Sequence, residues 1–346
     1  MIEEYSFNKI WQNDPTIIKR FIENRLNYEQ LCTEISYILE KGFSDKKIKV
    51  ASVSHRAKTL NSFLEKIYQK NYKDPFEEIT DFAGVRVVYL YQSDLSNIET
   101  IINHEFFIEE KVDKLNEKRD DEFGYIANHY IVQLGKHSSG ARYDDLKDLK
   151  CEIQVRTVLQ DAWAIINHHL VYKKEAAIPT ILQRKLNSLA GVFETADDQF
   201  ESIRTERERY LNQLNESSQS NKLLENEINF DTIVKYLQWK FPDVKSEKSN
   251  DQINYIVRDL LKLNFKKLRE LDNIVEKRMN QFPDIINTLN EYGWDTFKNG
   301  NYSSATYIGL LLLLDVKDWL EQNHYTEYEK NCFKDLRKEF PLTENH

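Results

Sequence analysis

Residues 152–173 read EIQVRTVLQDAWAIINHHLVYK, a strand pattern that continues into a helix pattern. Glu152, Gln154 and Arg156 alternate with Ile153 and Val155, which is typical of a half-buried strand with one polar face. Residues after Thr157 recur on one side at helical spacing: Ala162, Ile165, Ile166 and His169. We expect Trp163 and Ile166 in the core. The polar strand face fits a solvated edge or, because a carboxylate and an arginine stand together, a site for metal and phosphate.

Residues 54–67, SHRAKTLNSFLEKI, predict a helix with two different faces. The apolar face comprises Leu60, Phe63, Leu64 and Ile67. Lys58, Ser62 and Lys66 follow each other by four residues on another face, and Arg56 lies where the predicted helix begins. Such a face is often simply solvated. Cations and a hydroxyl near a helix N-terminus are also suited to bind a polyphosphate.

Residues 77–91, EEITDFAGVRVVYLY, predict a buried strand that begins near Gly84. Asp81 precedes this strand by a short turn, and its side chain could serve only to cap that turn. Asp81 and Glu152 would also supply two carboxylates for Mg²⁺, whose other positions are commonly filled by substrate phosphates. For Asp81 the sequence leaves a turn cap and a metal ligand open.

Four motifs follow one another along residues 45–175. They are R-x-K-x3-S-x3-K from Arg56 to Lys66, D-x-x-G-x-R from Asp81 to Arg86, G-Y-x-x-x-H from Gly124 to His129, and E-x-Q-x-R-T-x3-D-x-W-A-x3-H-x3-Y-K from Glu152 to Lys173. In this order they resemble the synthetase domain of the RelA/SpoT family, the alarmone (p)ppGpp synthetases. The resemblance implies an α/β fold with a nucleotidyltransferase-like mixed β-sheet flanked by helices.

The resemblance also implies a reaction and a set of residues. In this family, Mg²⁺·ATP gives its β,γ-pyrophosphoryl group to the 3′-hydroxyl of GDP or GTP and releases AMP. The residues implied for ATP binding are Arg56, Lys58, Ser62, Lys66 and Arg86, with the two arginines on the adenine. Asp81 and Glu152 would be catalytic and ligate Mg²⁺, and Glu152 would also be the general base. The residues implied for acceptor binding are Tyr125, His129, Gln154, Arg156 and His168.

One segment departs from the family pattern. The family carries lysine in P-K-x-x-G-Y, whereas this chain has Asp121 at the lysine position, within RDDEFGY. Asn167 likewise replaces a glutamate that many small synthetases have. Acidic residues would repel the diphosphate of an acceptor, so the sequence leaves the identity of the acceptor open. Toxic members of the family act on adenine nucleotides or on the 3′ end of tRNA.

Composition limits the class of protein. The chain has 346 residues, 40% of them hydrophobic, and a net charge of −9, which argues against a surface that coats nucleic acid. Cys32, Cys151 and Cys332 are far apart, so a disulfide framework is not indicated. Without a signal peptide or membrane-length apolar run, we expect a cytoplasmic enzyme that acts without a membrane.

The predicted organisation has four parts. Helices over residues 1–45 carry one stripe of Ile17, Phe21, Ile22 and Leu26 and a second of Leu31, Ile35 and Leu39. A synthetase domain over residues 46–213 ends in a long helix, and residues 214–221 have linker composition. The long helix has a stripe that could pack within the chain or in a homo-oligomer: Leu182, Leu186, Leu189, Phe193, Ala196 and Phe200.

Residues 222–346 predict an all-α C-terminal module, through whose helices a protein partner could bind. Its basic cluster of Lys262, Lys266, Lys267 and Arg269 fits a solvated face or a nucleic-acid contact. No His-Asp pair occurs in the sequence, so we expect synthesis without the hydrolysis found in long family members.

Three hypotheses about function follow from these patterns. The first is a (p)ppGpp-forming pyrophosphokinase. The second is a toxin-like synthetase that modifies adenine nucleotides or tRNA. The third is a degenerate nucleotide-binding module without catalysis, although such a module has no need for the general base that the sequence retains at Glu152.

Overall fold

The computed structural model describes residues 14–70, 72–113, 127–170, 179–216, 220–242, 250–293, 303–316 and 326–341. The chain divides into two compact units, residues 1–204 and residues 205–346. The domain boundaries at 45 and at 214–221 remain predictions from composition.

A five-stranded mixed sheet forms the centre of the first unit. Its strands are β1 (Val50–Ala57), β2 (Ala83–Tyr89), β3 (Phe106–Asp113), β4 (Asn128–Leu134) and β5 (Cys151–Thr157), in the order β1-β2-β5-β4-β3. β2 and β5 are parallel, whereas the other neighbouring pairs are antiparallel. The predicted α/β class with a mixed sheet is confirmed.

A single long helix, α1 (Pro15–Asp45), contacts β1 and β2. The Asp14 side chain accepts the Thr16 amide proton at its start. The second predicted stripe is confirmed, because Leu31, Ile35 and Leu39 are fully buried. The first stripe is wrong at two positions: Ile22 is 58% exposed and Leu26 is 73% exposed. One straight helix has one inward side, and at 100° per residue these two positions turn away from it.

The helix predicted from residue 54 begins later, at Leu60. Residues 54–57 belong to β1, where Ser54 pairs with Arg86 and Arg56 pairs with Gly84. Pairing with β2 outweighs the weak local helix signal of SHRA, which has no apolar face of its own. α2 (Leu60–Lys70) then buries Phe63 and Leu64 as predicted. Arg56 therefore lies on a strand, and the cations are not a ladder along one helix.

The remaining helices of the first unit follow the strands. They are α3 (Pro75–Glu78), α4 (Leu95–Glu105), α5 (Val158–Leu170) and α6 (Thr180–Glu216), and α6 continues beyond residue 204. Trp163 of α5 is buried against Leu186 and Phe193 of α6, as the sequence indicates. The prediction of Ile166 as core is wrong, because it is 43% exposed. Only one side of α5 meets α6, and Trp163 occupies it.

The predicted stripe of α6 is buried in part. Leu186 is buried, whereas Leu182, Leu189 and Phe200 are about half exposed. A buried hydrogen bond joins α6 to the end of β5, where the Thr157 hydroxyl donates to the Asp197 carboxylate at 2.6 Å. The inward side of α6 is thus set by Leu186, Ala190 and Asp197 rather than by the apolar stripe alone.

The second unit is helical in its described residues. Its helices are α7 (Ser220–Leu224), α8 (Phe230–Lys240), α9 (Asn250–Lys262), α10 (Leu268–Arg278), α11 (Phe282–Glu291), α12 (Ser304–Asp315) and α13 (Glu327–Glu339). The prediction of a helical C-terminal region is therefore confirmed. Within its core, the Arg278 guanidinium pairs with Asp315, and both side chains are almost fully buried.

The basic cluster of the second unit is partly neutralised. Lys267 and Arg269 both form ion pairs with Glu225, at 2.9 and 2.6 Å. This pairing favours the solvated face over a nucleic-acid contact for that cluster. Among the helices that the structure describes, none has the length and apolar character that crossing a membrane requires.

Candidate active site

One face of the sheet collects the polar residues of four strands. The register aligns Gly84 with both Arg56 and Glu152, and Gln154 with both Arg86 and His129. Because alternate residues point to opposite sides of a sheet, these side chains share a face. The alternate positions are apolar and buried in the same core as α1: Val85, Val87, Ile153 and Val155. The apolar face thus holds the sheet on α1 and leaves the polar face for chemistry.

A pocket of about 320 Å³ lies on this polar face. Seven of the predicted site residues line it: Arg56, Lys58, Ser62, Asp81, Arg86, Glu152 and Gln154. Lys66, His129 and Arg156 each bond to one of these residues, as described below. The strand register and the turn after β1 therefore bring ten of the twelve predicted side chains to one place.

Asp81 is held between two lysines. Lys58 Nζ lies 2.8 Å from Asp81 Oδ2, and Lys66 Nζ lies 2.9 Å from Asp81 Oδ1. Burial raises the pKa of the Asp81 carboxyl, but the hydrogen bonds and charges of the two lysines outweigh burial and lower it overall. Asp81 is therefore ionised and paired through both oxygens. We call this arrangement of Lys58, Asp81 and Lys66 the lysine clamp.

Lys58 reaches Asp81 from a turn and Lys66 from a helix. The Lys58 amide donates to the Phe82 carbonyl at 2.8 Å, which fixes the turn between β1 and α2 beside Asp81. The Thr59 hydroxyl accepts the Ser62 amide proton at 3.3 Å and donates to the Ser62 hydroxyl oxygen at 3.0 Å. Thr59 thus caps α2 and orients Ser62, a role that the sequence analysis did not assign.

Glu152 has a partner on each carboxylate oxygen. His129 Nδ1 lies 2.7 Å from Glu152 Oε1, and Gln154 Nε2 donates to Glu152 Oε2 at 2.8 Å. Burial raises the pKa of the Glu152 carboxyl, but the hydrogen bond and charge of His129, together with Gln154, lower it overall. An ionised carboxylate only accepts hydrogen bonds, so His129 Nδ1 carries the proton between them.

Asp161, in the first turn of α5, joins two arginines. Its Oδ1 lies 3.1 Å from Arg86 Nη1 and 3.7 Å from Arg156 Nη1. Arg156 Nη2 in turn donates to Gln154 Oε1 at 3.0 Å. Burial and the positive charge of Arg86 lower the pKa of the Arg156 guanidinium, and Asp161 acts in the opposite direction. The sequence analysis included Asp161 in a motif without giving it a role.

Two predicted acceptor residues remain, His168 and Tyr125. His168 lies near the end of α5, where its ring meets that of His169 at 6.1 Å between centroids, and it does not line the pocket. Tyr125 and the acidic segment before it lie outside the described residues. The roles given to both residues stay predictions.

The two carboxylates of the pocket fit a hard cation. Asp81 and Glu152 both line it, and the charge of Asp81 raises the pKa of Glu152, which places them in electrostatic contact. The described residues contain no cluster of three or more His, Cys, Asp or Glu side chains placed to hold a metal. Two carboxylates are few for a dedicated metal cage but suit Mg²⁺ when substrate phosphates complete its coordination.

Gly84 lines the pocket, and because it has no side chain the space above it stays open to a ligand. A Cβ atom built there would meet only the Arg56 carbonyl oxygen, at 3.7 Å, which is an ordinary contact. We expect Gly84→Val to raise the KM for the nucleotide by tenfold to roughly a hundredfold, because the side chain would occupy substrate space. The melting temperature should stay close to that of the unmodified protein. Steady-state kinetics and thermal unfolding measure the two effects.

Gly135→Ala is the matched control for Gly84→Val. A Cβ atom at Gly135 would collide with the backbone carbonyl of Glu105, so this variant should lose stability. Equal loss of stability in both variants would mean that Gly84 serves the fold instead of the pocket.

Comparison with known proteins agrees with this site. The family described as "Region found in RelA / SpoT proteins" matches residues 55–177. The chain is 26% identical to GTP pyrophosphokinase YwaC of Bacillus subtilis (strain 168) over 202 residues, covering 57% of this chain and 91% of the relative. It is also 26% identical to GTP pyrophosphokinase YjbM of the same organism over 167 residues, covering 47% of this chain and 76% of the relative.

Among solved structures, small alarmone synthetase 1 from Bacillus subtilis bound to its product pppGpp is 22% identical, with a TM-score of 0.47, and the likeness covers 54% of this chain and 98% of that one. The family match begins within β1, the strand that carries Arg56, and ends just beyond α5, so it includes the residues that line the pocket except Ser54. Residues 55–177 of this chain therefore match the RelA/SpoT family model, and a helical C-terminal region follows them.

Proposed function

We propose that this protein is a pyrophosphokinase that transfers the β,γ-pyrophosphoryl group of ATP to the 3′-hydroxyl of GDP or GTP, forming (p)ppGpp and AMP. The observation that carries the proposal is the pocket in which Glu152 and Asp81 meet Arg56, Lys58 and Arg86. Both curated relatives are named GTP pyrophosphokinases. They span most of their own lengths in the match, which supports the same reaction class here.

The cationic side of the pocket would bind ATP. Lys58 lines the pocket from the turn after β1, and Lys66 contacts Asp81 from α2; both would hold the phosphates with the Ser62 hydroxyl. Arg56 and Arg86 lie on adjacent strands, and planar guanidinium groups stack well on a base. Concentrated positive charge also stabilises the charge that develops on the group in transfer.

Asp81 and Glu152 would hold Mg²⁺ together with the phosphates of ATP. When bound, the ion supplies charge neutralisation at the triphosphate. In the structure both carboxylates are ionised, since the pKa of each is lowered overall. That protonation state is the one that metal binding requires.

Glu152 would remove the proton from the acceptor hydroxyl. The oxygen then bonds to the β-phosphorus of ATP, the bond from that phosphorus to the α,β-bridging oxygen breaks, and AMP leaves with the electron pair. Hydrogen bonds from His129 and Gln154 fix the carboxylate in one orientation before the acceptor arrives. His129 would therefore support the base and also lie near the acceptor.

The acceptor is proposed as GDP or GTP on the basis of the relatives' names. Adenine nucleotides and the tRNA 3′ end are not favoured, and the residues whose acidic character raised those alternatives lie outside the described part of the chain. Tyr125 would stack on the guanine base, with Arg156 near its phosphates. A cytoplasmic location follows from the need for ATP and guanine nucleotides.

The test is direct transfer of label. Purified protein with Mg²⁺ and γ-labelled ATP would be offered GDP, GTP, ADP, AMP or deacylated tRNA in separate reactions. Label in a guanosine product, with AMP released in equal amount, supports the proposal. Label confined to adenine nucleotides or tRNA, or no transfer to any acceptor while ATP is bound, would overturn it.

A further inference from the structure

We propose that Asp161 is a positioning residue that couples the ATP side of the pocket to the general base. This inference rests on the proposed function, which gives Arg86 to the donor and Glu152 to proton transfer. Asp161 itself does not line the pocket. It would act through the two arginines that it joins, and no substrate contact is required of it.

An unbroken series of polar contacts runs from one side of the site to the other. Asp161 contacts Arg86 and Arg156, Arg156 donates to Gln154, Gln154 donates to Glu152, and Glu152 accepts from His129. The two contacts of Asp161 are ion pairs, and the links that follow are hydrogen bonds of 2.7 to 3.0 Å. Loss of the Asp161 carboxylate should therefore change the orientation of both Arg86 and Glu152.

Charge explains why a carboxylate is needed at this position. Arg86 and Arg156 are close enough that each repels the other electrostatically, and Arg56 adds a third positive charge near Arg156. Like charges at short range separate unless an anion stands between them. Asp161 Oδ1 is buried and lies nearest to both guanidinium groups. Without its charge, Arg86 and Arg156 would have to move apart.

Burial makes these contacts stronger than those of a surface ion pair. The Asp161 side chain is 18% exposed and that of Arg156 is 13% exposed. Screening by solvent is weak at such depth, and removal of one member leaves the others unpaired in a poorly hydrated place. Among the described residues, Asp161 is the carboxylate within ion-pair distance of Arg86. We therefore expect the orientation of the Arg86 guanidinium to depend on Asp161.

The alternative is that Asp161 merely stabilises α5. A carboxylate in the first turn of a helix interacts favourably with the helix dipole. This reading predicts that a neutral residue lowers the melting temperature and leaves ligand affinity unchanged. The coupling proposal predicts that ligand affinity falls, whatever happens to the melting temperature, so a measurement of affinity separates the two.

The experiment is a double-mutant cycle with Asp161→Asn and Arg86→Met. Binding of α,β-methylene-ATP with Mg²⁺ should weaken about tenfold in Asp161→Asn, because Arg86 is no longer held. In the Arg86→Met background, Asp161→Asn should weaken binding by less than about twofold. Turnover with GDP should fall about tenfold in Asp161→Asn, because the chain to Glu152 is also broken, and Asp161→Glu should restore part of it.

Asp144→Asn is the matched control, since it removes the same charge from an exposed pair with Lys147. It should change neither binding nor turnover. Additive effects of Asp161→Asn in both backgrounds, or a loss of stability without loss of affinity, would overturn the coupling. Because the binding cycle does not depend on transfer, a protein that binds the analogue without transferring label would disprove the proposed function and still test Asp161.

Discussion

Glu152→Gln is expected to lower turnover by about a thousandfold, the range that a positioned general base contributes. Glutamine is nearly isosteric; its oxygen can still accept from Gln154, and its amide can donate to His129 Nδ1 once the imidazole takes the other tautomer, so the pocket should keep its shape. It cannot take the proton from the acceptor hydroxyl. Affinity for α,β-methylene-ATP should therefore change far less than turnover. Single-turnover kinetics with saturating ATP separate the two quantities.

The pH profile gives a second measurement of the same group. Because the pKa of Glu152 is below its usual range, the base is ionised at neutral pH and is lost only as the pH falls through that lowered value. Activity should therefore stay level on the acidic side until well below neutrality. His129→Asn removes the partner that lowers the pKa, so the acidic limb should move to higher pH. If the acidic limb of the pH profile is the same in His129→Asn as in the wild type, a group other than Glu152 controls that limb.

Retention of more than a tenth of wild-type turnover in Glu152→Gln would exclude Glu152 as the general base. Asp144→Asn again provides the comparison, because it neutralises a carboxylate on the surface of the same unit. The third hypothesis, a binding module without catalysis, would require wild-type protein and Glu152→Gln to be alike in every assay of transfer.

The sequence predicts the face of β5 well because strand periodicity is simple. A period of two fixes which side of the sheet Glu152, Gln154 and Arg156 share, and the valines of β2 identify a buried neighbour. Asp81 precedes β2, so its nearness to Glu152 depends on the pairing of β2 with β5. The pocket therefore follows from local patterns once β2 and β5 are taken as adjacent.

Two features could not be predicted because they depend on long-range pairing. Residues 54–57 belong to β1 because they pair with β2, and their own types do not indicate a strand. The predicted helical ladder was wrong for the same reason, since Lys58 lies on a turn and meets Lys66 only through Asp81. The role of Asp161 could not be predicted either, because the two arginines that it contacts lie on two different strands, β2 and β5.

The lysine clamp leads to the second large expected effect. In the structure, Lys58 and Lys66 direct their charges at Asp81 and not at open solvent. ATP without metal would have to draw both lysines away and would leave an ionised carboxylate beside its own phosphates. Mg²⁺ without ATP would have to displace both ammonium groups from Asp81. When metal and nucleotide bind together, the metal pairs with Asp81 and the phosphates pair with the two lysines. No charge is then left unpaired, so Mg²⁺ and ATP should bind cooperatively.

Asp81→Asn should therefore separate binding from catalysis in an unusual way. Turnover should fall by a hundredfold or more, roughly the scale of losing a charged ligand at a transfer site. Affinity for α,β-methylene-ATP in the presence of EDTA should instead rise about tenfold over wild type, because both lysines are released for the phosphates. Isothermal titration calorimetry with α,β-methylene-ATP, with and without Mg²⁺, measures the affinity. Steady-state kinetics with ATP and Mg²⁺ measures the turnover.

In wild-type protein, exchanging Mg²⁺ for EDTA should weaken analogue binding about a hundredfold, whereas Asp81→Asn should show a change of less than about threefold. Asp144→Asn should behave like wild type in both conditions, since its lysine partner lies on the surface. Weaker metal-free binding in Asp81→Asn than in wild type would show that the lysines do not depend on release from Asp81. In that case Lys58 and Lys66 would hold Asp81 for the fold, and other donors of the pocket, such as Arg56, Ser62 and Arg86, would bind the phosphates.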